Sequence, residues 1–271
     1  MKRSSCLLSV AALSLVASTA WSARGEARWR LVWSDEFEGP ALDYGKWGVA
    51  YNALGGGNQE LQFYTDRRDN VRIEDGALVL EAHADGYAGL GVQRGYSSGS
   101  VRTKRRGDWR YGRVEVRARM PRGQGLWPAI WMLPTDEAYG GWAASGELDV
   151  MEYRGHEPDK VHGTLHFGGA WPDNRSRGAA YELDEGTFAD DFHVFAVEWE
   201  RGVVRWFVDG ERYQVQDEWQ SDGGAFPAPF DQPFHLILNL AVGGRWAGPP
   251  DDETAFPQRM SVDWVRVYQR R

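Results

Sequence analysis

The chain has 271 residues, 42% of them hydrophobic and 26% charged, with a formal charge of −8. That length and composition suit a globular domain with a full core. The acidic balance argues against nucleic acid or a sulfated polyanion as partner and leaves neutral polymers open.

The N-terminus, MKRSSCLLSVAALSLVASTAWSA, places Lys2 and Arg3 before an apolar run over residues 7–17. Ser18 and Ala20 then fit a cleavage site after Ala20, so residues 1–20 are expected to be a secretory signal, too short to span a bilayer. Its loss removes two cations and no acid, which takes the charge from −8 to −10. The single cysteine, Cys6, lies inside it, so the mature chain is expected to have no thiol and no disulfide. A secreted or periplasmic location follows, with no membrane attachment after cleavage. Residues 21–30 read as a short lead-in. From 31 to 271 the texture is uniform, with no linker, repeat or charge block, and one domain is expected there.

Taken in chain order, the elements have a period of two. ALVLEAH, after the turn EDG, reads as a strand. In RVEVRARM, Val114, Val116, Ala118 and Met120 share one face, and Arg113, Glu115, Arg117 and Arg119 the other. VVRWFVDGERYQV reads as a hairpin turning at Asp209-Gly210. FHLILNLAV is apolar enough for burial on both faces, and SVDWVRVYQ closes the chain with another alternating strand. No segment carries a convincing helical period. Fourteen Trp, 33 Gly and 12 Pro fit many strands and turns, with aromatic surface to spare. Together these features predict an all-β sandwich of two antiparallel sheets.

One stretch does not fit a plain strand. SGELDVMEYRG carries Glu147, Asp149 and Glu152 within six residues, although acids are depleted in strands and like charges on one face repel. Strict alternation puts Glu152 opposite Glu147 and Asp149. A β-bulge at Val150-Met151 returns it to their face. Four effective strand steps of roughly 3.3 Å then put the two Glu backbones about 13 Å apart. Inward-leaning side chains reach from there to the ~5–5.5 Å carboxyl separation of a retaining glycosidase. Asp149 between them would hydrogen-bond one Glu and keep the two pKa values apart. The plain alternative is a solvated acidic strand face, and periodicity does not say which Glu attacks.

Around the acids, Trp127 and Trp131 in GQGLWPAIWMLP are four apart and point the same way on a strand, as sugar-stacking rings or as core. The flanking Gly and Pro suggest a strand end or loop. Trp246 lies in the Gly-rich GGRWAG, where a buried anchor is less natural. His162 and His166 in HGTLHFG lack the helix and the Glu of a zinc motif, and His166 reads better as a sugar hydrogen-bond partner. GGGNQELQFYTD offers Asn58, Gln59 and Glu60 for hydroxyl groups.

These residues resemble a known family. GELDVMEY is similar to the signature E-[IL]-D-x-x-E of glycoside hydrolase family 16, in the bulged form found in laminarinases (endo-1,3-β-glucanases), agarases and κ-carrageenases. LVWSDEF, NQELQFYTD, RYGRVEVRARMPRGQGLWPAIWMLP, HGTLHFGG, FHVFAVEWE, FHLILNLAVGG and VDWVRVYQ extend the resemblance over nearly the whole mature chain. It implies a β-jelly roll with a concave substrate cleft and a retaining mechanism. By matching position Glu147 is the implied nucleophile, Glu152 the acid/base and Asp149 the assisting residue. Asn58, Trp127, Trp131, His166, Asn239 and Trp246 match cleft-lining positions. No cofactor is implied for the chemistry. A structural Ca²⁺ is implied on the convex side, with ligands from Glu36, the Gly76 carbonyl and Asp263. Ser100 departs from the family, whose members often carry Arg there. NQELQFYTD, GLWPAIWMLP and HGTLHFGG look most like laminarinases. The expectation is a monomeric, secreted endo-β-1,3-glucanase acting on neutral β-glucan, with mixed-linkage glucan second. The alternatives are a non-catalytic β-glucan-binding protein, a transglycosylase or an agarase on the same scaffold.

Overall fold

Two eight-stranded sheets carry the chain in the computed structural model, which describes residues 29–271. The signal expected over 1–20 and nearly all of the lead-in lie outside these residues. In chain order the strands are β1 (Trp29–Asp35), β2 (Gly48–Val49), β3 (Val71–Glu74), β4 (Ala77–Ala82), β5 (Ser100–Arg102), β6 (Asp108–Trp109), β7 (Gly112–Arg119) and β8 (Leu126–Pro134). They continue as β9 (Glu147–Tyr153), β10 (Lys160–Gly168), β11 (Asn174–Glu182), β12 (His193–Glu200), β13 (Val203–Val208), β14 (Glu211–Gln216), β15 (Phe234–Val242) and β16 (Gln258–Arg270). The first sheet runs β14-β13-β12-β7-β16-β4-β3, with β1 also on β16. The second runs β11-β10-β9-β8-β15-β5-β2, with β6 also on β15. All pairings within these two sheets are antiparallel. Among the described residues the helical elements come to one 3-10 turn, Gly55–Gly57.

Alternation decides which side of each strand faces in. On β7, Val114, Val116 and Ala118 are buried between the sheets, and each large apolar side chain so buried contributes roughly 1.5–3 kcal/mol. On the opposite side Arg113 pairs with Glu115 and Glu198, and Arg117 with Asp263. β15 is buried along its whole length, as its largely apolar sequence, broken by His235 and Asn239, predicts for a strand with β8 on one side and β5 and β6 on the other. The β13–β14 hairpin turns at Asp209 and Gly210, both at positive φ (48° and 84°), the conformation a two-residue hairpin turn requires.

The tryptophans correct one expectation. Trp47, Trp109, Trp127, Trp199, Trp206 and Trp219 are buried, and among the described tryptophans just Trp142 and Trp171 are exposed. Six of the thirteen described tryptophans are thus buried and two are exposed, so there is less surplus indole surface than expected.

Candidate active site

The bulge is where the acid spacing requires it. β9 pairs with β10 as Glu147↔His166, Leu148↔Leu165 and Asp149↔Thr164, then resumes at Glu152↔His162. On its other side β9 pairs Asp149 with Trp131 and Met151 with Ile130, so Val150 is the extra residue. Val150 and Met151 both join the core with Leu148 and Tyr153. Glu152 therefore shares the face of Glu147 and Asp149, turned away from the core. The indole Nε1 of Trp206, reaching across from β13, donates to the Asp149 carbonyl at 2.7 Å and ties the bulge to the opposite sheet.

Each glutamate is held by one indole. Trp142 Nε1 donates to Glu147 Oε2 at 2.7 Å, and Trp127 Nε1 donates to Glu152 Oε1 at 3.2 Å. His166 Nε2 lies 3.7 Å from Glu147 Oε1 and 3.3 Å from Asp149 Oδ2. The expected hydrogen bond from Asp149 to a Glu is replaced by this approach to His166, and Asp149 Oδ2 itself accepts no hydrogen bond.

Burial raises the pKa of all three carboxyls to about 8. Loss of water is the largest cause in each case. At Glu147 the Asp149 charge adds to it, and His166 and the Trp142 N–H oppose it. At Glu152 the Asp149 charge adds, and His166 and the Trp127 N–H oppose. Three like charges this close do not coexist in a dry site, so the cluster keeps protons at neutral pH. Glu147 has the shorter donor, which favours its charged form, and Glu152 has the longer one. That asymmetry favours the charged form at Glu147 more than at Glu152.

The surrounding aromatics differ from the sequence reading in detail. Trp127 and Trp131 do point the same way; Trp127 is the second residue of β8, at the strand start that the flanking Gly and Pro suggested, and Trp131 lies inside the strand. Pro128 is tolerated there because pairing with β9 begins only at Ala129. Trp127 is 8% exposed and packs with Ala241, Ala247 and Trp246, so its N–H edge and not its face serves the site. Trp246 is half-buried, with Trp127 at 5.1 Å, His162 at 5.2 Å and the Arg154 guanidinium at 4.8 Å from its ring. Trp131 is half-buried and donates to Asn239 Oδ1 at 2.7 Å, and Asn239 Nδ2 donates to the Tyr64 hydroxyl at 3.1 Å. Asn58 closes the Gly55–Gly57 turn, its carbonyl accepting from the Arg245 N–H. Ser100 pairs with Asn239 across β5 and β15.

Two partners escaped the sequence reading. Trp142, five residues before Glu147, packs on His166 at 5.6 Å as well as holding Glu147. Its only signal was a tryptophan in a Gly-rich loop just upstream of the acids. Tyr64 lies in the quoted NQELQFYTD, but nothing local pointed it at Asn239.

Each of the two carboxylates implied as calcium ligands has a guanidinium partner. Glu36 is held by Arg266 through both oxygens, at 3.1 and 2.8 Å, and Asp263 by Arg117 at 2.5 Å. Gly76 sits in the β3–β4 turn. Both carboxylates are already charge-balanced by guanidinium, so these side chains do not fit a cation that needs six to eight oxygens.

Two glutamates on one strand face, each held by an indole N–H, are the equipment that glycosidic bond cleavage needs, and on a two-sheet jelly roll they mark a glycoside hydrolase. Residues 58–266 match Glycosyl hydrolases family 16, and the chain belongs to that family. It is 46% identical over 258 residues to the glucan endo-1,3-beta-glucosidase A1 of Niallia circulans, a match covering 89% of this chain and 38% of that longer protein. It is 44% identical over 281 residues to the beta-glucanase of Rhodothermus marinus, covering 99% of this chain and 95% of that one. The catalytic domain of an endo-1,3-beta-glucanase (laminarinase) from Thermotoga petrophila superposes with a TM-score of 0.81 at 40% identity, covering 90% of this chain and 98% of the other.

Proposed function

We propose that the protein is a secreted, retaining endo-β-1,3-glucanase that hydrolyses laminarin-type glucan, with mixed-linkage glucan as a second substrate. The observation that carries this reading is the bulge at Val150. It sets Glu152 beside Glu147 on the open face and gives each glutamate its own indole donor. The relatives named for β-1,3-glucan support the substrate. In this reading Glu147 attacks the anomeric carbon as carboxylate while Glu152 gives its proton to the leaving oxygen. Glu152 then takes a proton from water, which attacks the glycosyl-enzyme and releases Glu147. Asp149 and His166 hold the charge between the two steps. No cofactor enters these steps, and a structural Ca²⁺ would have to bind through backbone carbonyls or displace Arg266 and Arg117. A secreted or periplasmic, monomeric protein completes the proposal.

The test is reducing-end release from laminarin, lichenan and agarose side by side, with Glu152→Gln and Glu147→Ala as controls. Release from laminarin, lost in both variants while they still fold and bind glucan, is the expected result. Activity confined to agarose overturns the substrate, and near-normal rates in Glu147→Ala overturn the mechanism. Glucan binding without turnover makes the groove a binding cleft.

A further inference from the structure

Glu147 and His166 face each other across the β9–β10 ladder, and Asp149 follows two positions along on the same side. One ligand atom from each lies within 4.8 Å of the others. His166 Nε2 is 3.3 Å from Asp149 Oδ2 and 3.7 Å from Glu147 Oε1. A tetrahedral zinc ion with bonds of about 2.0–2.2 Å has ligand-to-ligand edges of roughly 3.4 Å. Two of the three edges are thus near their required length before any ion arrives.

A second observation points to a ligand independently of the acid count. The Asp149 side chain is 3% exposed, and its Oδ2 accepts no hydrogen bond, although it is aimed at this trio. An unsatisfied carboxylate oxygen in so dry a place is costly. Trp142 occupies only Oε2 of Glu147, which leaves Oε1 available. His166 is 23% exposed and Glu147 14%, so the fourth position opens to solvent.

We propose that Glu147, Asp149 and His166 form a three-ligand site for a divalent transition-metal ion, with Zn²⁺ as its probe, and that the ion and the glucan compete for the groove. The donor set of one imidazole and two carboxylates suits zinc or copper and not calcium or magnesium. A dication displaces the protons that the cluster holds and balances the carboxylate charges so uncovered. Ligation through Nε2 leaves the imidazole proton on Nδ1, which is buried with no acceptor. The missing outer partner weakens such a site, so micromolar and not nanomolar affinity is expected. Metal binding itself is independent of the catalytic reading; competition with glucan rests on the groove being the glucan site.

Zinc titration of the whole chain by calorimetry at pH 7, in a non-coordinating buffer, tests the site. One ion per chain is expected, with affinity falling at least tenfold in both Asp149→Asn and His166→Asn, and with no competition from Mg²⁺ or Ca²⁺. No binding up to about 1 mM zinc, the weak limit of a specific site, overturns the proposal. So does wild-type affinity in either variant, which would place the ion elsewhere. Competition is read without turnover in Glu152→Gln, which keeps all three ligands. Zinc at ten times its dissociation constant should weaken laminarin binding about tenfold, and an unchanged laminarin affinity overturns competition. If Glu152→Gln binds no laminarin at all, the proposed substrate fails while the zinc result stands by itself.

Discussion

At the scale of single residues, the difference between Glu147 and Glu152 comes from two indole N–H groups. Trp142 gives Glu147 a 2.7 Å hydrogen bond and Trp127 gives Glu152 a 3.2 Å one. A donor to a charged acceptor contributes about 1.5–3 kcal/mol and favours the ionised form of the acid that receives it. Trp142→Phe keeps a ring against His166 and removes the N–H. The acid limb of kcat/KM for laminarin should then move up by about one pH unit, the equivalent of about 1.4 kcal/mol. An acid limb that stays where it was would mean that Trp142 serves only as packing. Trp127→Phe should act on the other limb, because it removes a donor from Glu152.

At the scale of elements, the bulge depends on a glycine in the neighbouring strand. Gly163 on β10 lies under the β9 bulge, and a Cβ there would sit 2.4 Å from Trp206 Cδ1 and 2.6 Å from its Nε1. Only glycine lets the indole approach closely enough to bond the Asp149 carbonyl. Gly163→Ala should push Trp206 away, cost about 1–3 kcal/mol through overpacking, and lower turnover because β9 loses its tie across the core. Thermal melting and laminarin hydrolysis measured together check this. A variant that melts like the wild type and turns over normally would show that the bulge holds by itself.

At the scale of the whole molecule, the site opposes stability. Each of Glu147, Asp149 and Glu152 is raised to about 8 by burial. Between the ordinary Glu value of 4.5 and about 8, the folded chain holds protons that the unfolded chain has released. The stability linked to these groups is therefore full below the unfolded value and declines as pH rises through that window. Glu36, Asp85 and Asp209 are shifted the other way by Arg266, by Arg67 and Ser97, and by His193, and their contribution is lost only in stronger acid. The chain should melt higher near pH 5 than near pH 8. Glu152→Gln should flatten that difference, gaining on the order of 1–3 kcal/mol at pH 8. Equal slopes in the two proteins would contradict the burial argument.

Much of this was legible locally, because strand period and turn chemistry act over a few residues. The inward face of β7, the Asp209-Gly210 turn, the burial of β15 and the bulge at Val150 all follow from spacing along the chain. The acids themselves were visible as a spacing that a plain strand would not tolerate. The partners of those acids were less legible. Trp127, which the spacing left open as sugar platform or core, is a buried donor to Glu152. Trp142 went unnoticed, and the arginine partners of Glu36 and Asp263, residues that the family resemblance implied as metal ligands, were not visible.

By itself, then, the amino-acid sequence determined the sheet class, the faces of the strands and the residues that meet on the open side of β9. Tertiary structure decided which indole holds which glutamate, how dry the carboxyls are, and that Trp206 anchors the bulge from the other sheet. The reason is the range of the interactions. Periodicity is written between neighbours in the chain, whereas the Trp206–Asp149 bond and the Glu36–Arg266 pair join residues 57 and 230 positions apart. Only the strand order of the two sheets brings them together.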